Sequence, residues 1–106
     1  MKTMTASELS LLIENPDTTL FLLDVREPQE FEICHIPNSQ LMPMQSIPNR
    51  LDQLPKDTAI ITICHHGMRS QQVAQFLLQN GFNDITNLIG GVNAWAADVD
   101  RLMPTY

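Results

Sequence analysis

Two short segments of the chain are continuously apolar, TLFLLDV at 19–25 and AIITI at 59–63. An unbroken apolar run of this length, without polar alternation, is typical of a strand that is covered on both faces in a parallel sheet. The segment DITNLI at 84–89 also predicts a strand, and so does QLMPM at 40–44. Pro43 cannot donate to a sheet ladder, so we expect the last of these near a sheet edge or a strand end.

Between these runs, the apolar residues recur at helical spacing. Thr5 and Glu8 have the T-x-x-E spacing of a capping box, which predicts a first helix that ends at Asn-Pro-Asp, 15–17. EPQEFEI at 27–33 predicts a short helix, because a proline is tolerated in the first turn. Ser46 is the expected cap of a helical stretch that runs through Leu51 and Leu54. Predicted strands and helices therefore alternate along the chain.

The last two predicted helices occupy 70–80 and 90–99. Ser70 is the expected N-cap of the first, and Gly81 is expected at its end. An apolar stripe identifies its buried face: Val73, Ala74, Phe76 and Leu77. The second follows a glycine pair, with three residues placed to face inward: Val92, Trp95 and Val99.

Strands that alternate with helices predict right-handed βαβ units, hence an α/β fold with a central, mainly parallel sheet flanked by helices. We expect one domain over residues 1–106, since that length suits a single core. In such sheets ligands bind beyond the carboxyl ends of the strands. Asp24 and Cys64 both lie at such ends, which makes them candidates for a functional site.

The charge balance narrows the possible ligands. Six basic and twelve acidic residues give a formal net charge of −6, which argues against a nucleic-acid partner. An anionic ligand would need a local positive site. The N-terminal MKTMTASELS lacks the apolar stretch of a signal peptide, and no membrane partner is indicated, so we expect a cytoplasmic protein. In that setting Cys34 and Cys64 are expected to be free thiols.

The segment CHHGMRS at 64–70 joins a predicted strand to a predicted helix. A tight loop in this position lets backbone N–H groups converge into an anion-binding nest, to which the helix N-terminus adds positive potential. Gly67 permits the sharp backbone path, and Arg69 adds a full positive charge. Such surroundings favour a thiolate, so Cys64 is the predicted nucleophile.

His65 and His66, with the nearby cysteine, also suggest a metal site. Three consecutive residues rarely reach one ion together, however, and we expect neither a metal nor another cofactor. The histidines are instead expected at the mouth of the pocket, where protonated side chains attract anions. Met68 either forms a wall of that pocket or is exposed.

Three motifs in this order resemble the rhodanese family, over nearly the whole chain. LLDVREPQEFEICHIPNS at 22–39 is similar to the first signature of that family, CHHGMRS to its active-site loop and LIGGVNAW at 88–95 to its closing signature. The resemblance implies a single rhodanese-like domain with a catalytic cysteine at Cys64. It also implies that the other loop residues bind the sulfur donor, namely His65, His66, Gly67, Met68 and Arg69. Three further residues are implied to support the site: Asp24, Arg26 and Ser70.

The implied activity is a thiosulfate sulfurtransferase. Cys64 would take sulfane sulfur from a small anionic donor such as thiosulfate, and a thiol or cyanide-type acceptor, or a sulfur-relay protein, would remove it. Three alternatives stay open: a carrier or docking module loaded by a partner protein, an inactive regulatory fold, and a phosphatase. The intact loop argues against the regulatory fold. Related phosphatases have C-x5-R, whereas Arg69 completes C-x4-R, so phosphatase activity is disfavoured.

The chain departs from the family pattern in two places. Cys34 stands where glycine precedes His-Ile-Pro, and Asn38-Ser39 replace Gly-Ala. Cys34 is either a resolving thiol for Cys64 or a small buried residue, and the second interpretation is favoured. Asp24, Arg26 and Glu30 are expected to brace the site or to pair with one another, and Trp95 is expected in the core.

Overall fold

The predicted strands and one unpredicted strand form a single parallel sheet in the computed structural model, which describes residues 1–106. In chain order the strands are β1 (Lys2–Met4), β2 (Leu20–Asp24), β3 (Gln40–Leu41), β4 (Ala59–Ile63) and β5 (Ile85–Leu88). Their order across the sheet is β1-β5-β4-β2-β3, and every neighbouring pair is parallel. The expected α/β fold with a parallel sheet is confirmed, and β3 lies at an edge, as Pro43 predicted.

Strand β1 was not predicted because its three residues carry no apolar pattern. It becomes a strand by pairing with β5, where Lys2 is opposite Thr86 and Met4 is opposite Leu88. The N–H of Ile89 also donates to the carbonyl of Met4, at 2.8 Å. This edge strand therefore depends on a tertiary partner and has no local signal.

Four α-helices surround the sheet: α1 (Ala6–Glu14), α2 (Pro28–Ile33), α3 (Met68–Gln79) and α4 (Gly91–Asp98). The capping box of α1 is confirmed, since the Thr5 hydroxyl accepts from the N–H of Glu8 at 3.1 Å and the Glu8 carboxylate accepts from the N–H of Thr5 at 2.9 Å. Pro28 occupies the first turn of α2, as expected. None of the helices is both long and apolar enough to cross a lipid bilayer.

Two predicted helix caps are wrong. Residues 44–53 form two 3-10 helices, Met44–Asn49 and Leu51–Gln53, and Ser46 lies inside the first, where its hydroxyl donates to the carbonyl of Pro43 at 2.7 Å. Helix α3 begins two residues earlier than Ser70, with Gly67 as N-cap at a φ of 108°. A positive φ is open to glycine without steric cost, so the helix starts directly from the loop.

The two faces of the sheet carry separate cores, and β4 contributes to both. Ile60 and Cys64 belong to a cluster with residues of α3 and the 3-10 helices, whereas Ile61 and Ile63 belong to a cluster with residues of α1 and α4. We call these the α3-side and the α4-side clusters. Trp95 is buried in the α4-side cluster, as predicted. The strand is thus covered on both faces, which explains its unbroken apolar sequence.

Candidate active site

Cys64 directly follows β4 and is only 1% exposed. Two donors face its sulfur. The N–H of Gly67 is 3.0 Å from Sγ, and the hydroxyl of Ser70, in the first turn of α3, is 3.3 Å from it. Since Gly67 is the N-cap of α3, its amide lies at the positive end of the helix and points at the sulfur. This arrangement stabilises negative charge on Sγ.

Asn87, near the end of β5, connects the donors of Cys64 to the sheet. Its Oδ1 accepts from the hydroxyls of Ser70 at 2.5 Å and Thr62 at 3.2 Å. Its Nδ2 donates to the carbonyl of Gly67 at 3.1 Å, which fixes the orientation of the amide. Because Asn87 is buried and every polar atom of its side chain is bonded, it holds both donors in place.

Ser70 has one hydroxyl proton and two possible acceptors, Asn87 Oδ1 and Cys64 Sγ. When Cys64 is a thiol, its S–H can donate to the serine oxygen while the serine proton stays on Asn87. When the sulfur is a thiolate, the serine proton can turn to it, and Asn87 keeps the hydrogen bond from Thr62. The network therefore accommodates either protonation state of the sulfur.

The N-terminus of α4 holds the loop from the other side. The N–H of Val92 donates to the carbonyl of Cys64 at 2.9 Å, and the N–H of Asn93 donates to the carbonyl of His65 at 3.1 Å. Gly91 allows this approach, because a Cβ on it would lie 2.1 Å from the Cys64 carbonyl oxygen. Of the glycine pair in the sequence, Gly91 is thus required by a close backbone contact.

Asp24 and Arg26 form a fully buried ion pair at the end of β2. Arg26 Nε and Nη2 donate to the two carboxylate oxygens at 2.9 Å and 2.7 Å, and Nη2 also donates to the carbonyl of Cys34 at 2.7 Å. Burial by itself would lower the pKa of Arg26, but the hydrogen bonds with Asp24 and Tyr106 raise it above its ordinary value. The guanidinium therefore stays charged and fixes the chain between β2 and α2.

Arg69 does not present a free charge. Its Nη1 and Nη2 donate to Glu30 Oε1 at 2.8 Å and Oε2 at 2.9 Å. The Tyr106 hydroxyl donates to Oε2 at 2.8 Å and accepts from Arg26 Nη1 at 2.9 Å. The hydrogen bonds from Arg69 lower the pKa of Glu30 to about 2, and those to Glu30 raise the pKa of Arg69. In this conformation the local positive charge expected from the sequence is neutralised.

The two loop histidines lie outside this hydrogen-bond network. The ring of His65 stacks on Tyr106 with centroids 4.0 Å apart, and it packs against His66 at 4.0 Å. Partial burial, followed by the positive charge of its neighbours, lowers the pKa of His65, so its ring is neutral at pH 7. His66 is exposed, and Met68 is 75% exposed, although both also line a shallow surface pocket with Gly67.

Cys34 is buried on the opposite side of the sheet from Cys64. Its side chain belongs to the α4-side cluster, with Arg26 Nη1 4.0 Å from Sγ, whereas Cys64 belongs to the α3-side cluster. Both thiols are free. A direct bond between the two sulfurs would require rearrangement of the sheet end, so the packing favours Cys34 as a small buried residue.

Sequence reasoning missed the roles of Asn87, Tyr106 and Gly91. Asn87 could have been found, because it is the polar residue near the carboxyl end of a predicted strand, the same rule that selected Asp24 and Cys64. Tyr106 carries no local signal, since only the tertiary fold brings it to Glu30. No group of three or more histidine, cysteine, aspartate or glutamate side chains is arranged to hold a metal ion.

The sequence model of the rhodanese-like domain matches residues 5–98 of the chain. The chain belongs to the rhodanese-like family. It is 39% identical over 77 residues to a sulfurtransferase of Allochromatium vinosum, covering 73% of this chain and 72% of that protein. It is 35% identical over 74 residues to the thiosulfate sulfurtransferase GlpE of Vibrio cholerae, covering 70% of each chain.

Solved structures agree with this assignment. A rhodanese-like domain protein of Staphylococcus aureus superposes with a TM-score of 0.84 at 35% identity, over 90% of this chain and 91% of that one. The rhodanese-like fold explains why the three motifs converge. The loop at Cys64 follows the central strand β4, the first motif contains the end of the neighbouring β2 and the chain after it, and the closing motif provides the start of the helix that holds the loop.

Proposed function

We propose that the chain is a sulfurtransferase that carries sulfane sulfur on Cys64 as a persulfide. The observation that supports this most is the pair of donors, Gly67 N–H and Ser70 Oγ, at 3.0 Å and 3.3 Å from the buried sulfur. They stabilise the charge on the Cys64 thiolate before transfer, and the loop amides are proposed to stabilise the terminal sulfur after it. The matched family and the names of its similar proteins point to the same chemistry.

In the first step, the Cys64 thiolate attacks the outer sulfur of a donor such as thiosulfate. The Sγ–S bond forms, the S–S bond of thiosulfate breaks, and sulfite leaves with the bonding electron pair. Cys64 then holds a terminal sulfur with one negative charge, so atoms and charge balance without an external oxidant. In the second step a thiol, cyanide or a sulfur-relay protein attacks that sulfur and restores the thiolate.

The remaining site residues have roles in keeping with their contacts. The loop residues His65, His66, Gly67, Met68 and Arg69 are proposed to contact the donor. The buried ion pair of Asp24 and Arg26 holds the chain beside the loop in place, and the Ser70 hydroxyl donates a hydrogen bond to Cys64 Sγ. No cofactor is required by this scheme.

Intact mass spectrometry after incubation with thiosulfate tests the proposal. We expect the wild-type chain to gain one sulfur atom that is removed by cyanide, and the Cys64→Ser variant to gain none. Cys34→Ser is the matched control, because it removes the other buried thiol and should still load. The assignment of Cys64 would be refuted if the Cys64→Ser variant gained a sulfur atom, or if the Cys34→Ser variant were the only one that failed to gain it. Loading from a cysteine desulfurase but not from thiosulfate would favour a carrier.

A further inference from the structure

The carboxylate of Glu30 occupies the place where an anionic donor would meet Arg69. Arg69 is the one permanently charged side chain in the loop at 64–70. Both of its terminal nitrogens donate to Glu30, at 2.8 Å and 2.9 Å, in the paired geometry that a guanidinium makes with any planar carboxylate or similar oxyanion. A donor that uses Arg69 must therefore compete with Glu30.

Glu30 is held firmly in this position. Besides Arg69, its Oε1 accepts from the N–H of Glu27 at 3.0 Å, and its Oε2 accepts from Tyr106 at 2.8 Å. The buried Arg26 donates to the carbonyl of Glu30 at 3.3 Å and to the Tyr106 oxygen at 2.9 Å. Each carboxylate oxygen therefore has two donors, and both the backbone and the side chain of Glu30 are fixed by neighbours outside the loop.

We propose that Glu30 is a specificity-determining residue that reduces the preference of the loop for a doubly charged sulfur donor over a singly charged one. The inference rests on the proposed sulfur transfer. With Glu30 in place, the donor meets a neutral pair on a chain of net charge −6, and each additional negative charge on the donor is disfavoured. Without Glu30, the donor meets the free guanidinium of Arg69.

Two donors of similar size separate charge from shape. Thiosulfate carries two negative charges, and the methanethiosulfonate anion replaces one oxygen by a methyl group and carries one. Both give up the same outer sulfur to Cys64. Thiosulfate releases sulfite and methanethiosulfonate releases methanesulfinate, each by cleavage of one S–S bond with the electron pair retained by the leaving group.

The test measures the binding of each anion by calorimetry in the Cys64→Ser chain, in which no sulfur can be transferred to Cys64. In this background we expect Glu30→Gln to tighten thiosulfate by about tenfold, equivalent to ~1.4 kcal/mol, and methanethiosulfonate by about threefold. Glu32→Gln is the charge-matched control, because Glu32 is an exposed residue of α2 that forms no ion pair, and it should change neither affinity appreciably.

Three results would overturn the proposal: no tightening in Glu30→Gln beyond that in Glu32→Gln, equal tightening of both anions, or the same tightening when Arg69 is also changed to Gln. Tyr106→Phe provides a second variant that keeps the carboxylate but removes one of its donors. Tyr106→Phe should tighten the binding of thiosulfate by about twofold, and an unchanged or weaker affinity would count against the proposal.

This experiment is independent of the sulfur-transfer test. If binding changes as expected but the wild-type chain forms no persulfide on Cys64, the proposed function fails and the role of Glu30 in anion selection stands. If a persulfide forms but Glu30→Gln binds thiosulfate no better, the function stands and the role of Glu30 fails. Urea unfolding of each variant confirms that the compared chains are folded.

Discussion

Gly91→Ala should damage the active-site loop from outside it. The added Cβ would lie 2.1 Å from the carbonyl oxygen of Cys64 and 2.6 Å from that of His65, far inside van der Waals contact. Both atoms belong to backbone that cannot turn away as a side chain can. The carbonyls accept from the N–H groups of Val92 and Asn93, so relief of the clash separates the loop from α4.

The cost of this substitution follows from three effects. Two buried backbone hydrogen bonds are weakened, each contributing about 1 kcal/mol. Overpacking against fixed backbone costs about 1 to 3 kcal/mol. Alanine at the φ of +56° adds roughly 1 kcal/mol. We therefore expect a loss of about 4 kcal/mol, a large part of the 5 to 15 kcal/mol typical of a folded domain.

Gly81→Ala is the matched control, because it also places alanine at a positive φ, +91°, but its nearest neighbour is the flexible end of Lys56 at 3.5 Å. It should lose about 1 kcal/mol. Urea unfolding, followed by the fluorescence of the single tryptophan, Trp95, gives both values. If Gly91→Ala is no less stable than Gly81→Ala, the close contact between α4 and the loop is not as the structure describes.

Three further predictions concern the network around the sulfur and the Glu30–Arg69 ion pair. Ser70→Ala removes a hydrogen-bond donor to Cys64 Sγ. The rate at which iodoacetamide alkylates Cys64 at pH 7, followed on the peptide that contains the loop, should fall by about threefold to tenfold. A rate equal to that of the wild-type chain would contradict this role of Ser70. Asn87→Ala removes three buried hydrogen bonds, those with the Gly67 carbonyl, Ser70 and Thr62, and should cost about 2 to 3 kcal/mol in urea unfolding. A loss below ~1 kcal/mol would show that the network is dispensable. The pKa of Glu30 in the folded chain is about 2, below its usual 4.5. The ionised carboxylate therefore adds its full contribution to the free energy of unfolding above pH 4.5, and this contribution is lost as the pH falls toward 2. The difference in the free energy of unfolding between the wild-type chain and Glu30→Gln, about 1 kcal/mol at pH 7, should therefore disappear between pH 4.5 and pH 2. A difference that does not change with pH would refute this role of Glu30.

Much of the fold could be predicted because its strands are covered on both faces. The five residues of β4 match the predicted AIITI, since burial on two sides leaves an unbroken apolar run. The capping box of α1 was equally local. By contrast, Ser46 and Ser70 were poor guides to helix starts, because a serine hydroxyl can serve a turn or a neighbouring side chain as readily as a cap.

The sequence predicted where the candidate site lies better than it predicted the charge within the site. The carboxyl ends of β2 and β4 are adjacent, so the rule for parallel sheets brought Asp24 and Cys64 to the same edge. The sequence also identified Arg69, but it could not show that a carboxylate from another helix neutralises it. An ion pair depends on distances between side chains far apart in the chain, 39 residues in this case.

The amino-acid sequence by itself determined the four strands β2 to β5, the four α-helices, the strand-loop-helix around Cys64 and the family, because these depend on local periodicity and on motifs of fixed spacing. It did not reveal β1, which forms only by pairing with β5. Only the tertiary structure decided how the loop is charged and held. The Glu30–Arg69 pair, the hydrogen bonds of Asn87 and the contact of Gly91 with the loop join β5, α2 and α4 to residues 64–70. These contacts require the sheet to be assembled first, since no local pattern encodes which distant side chains will meet.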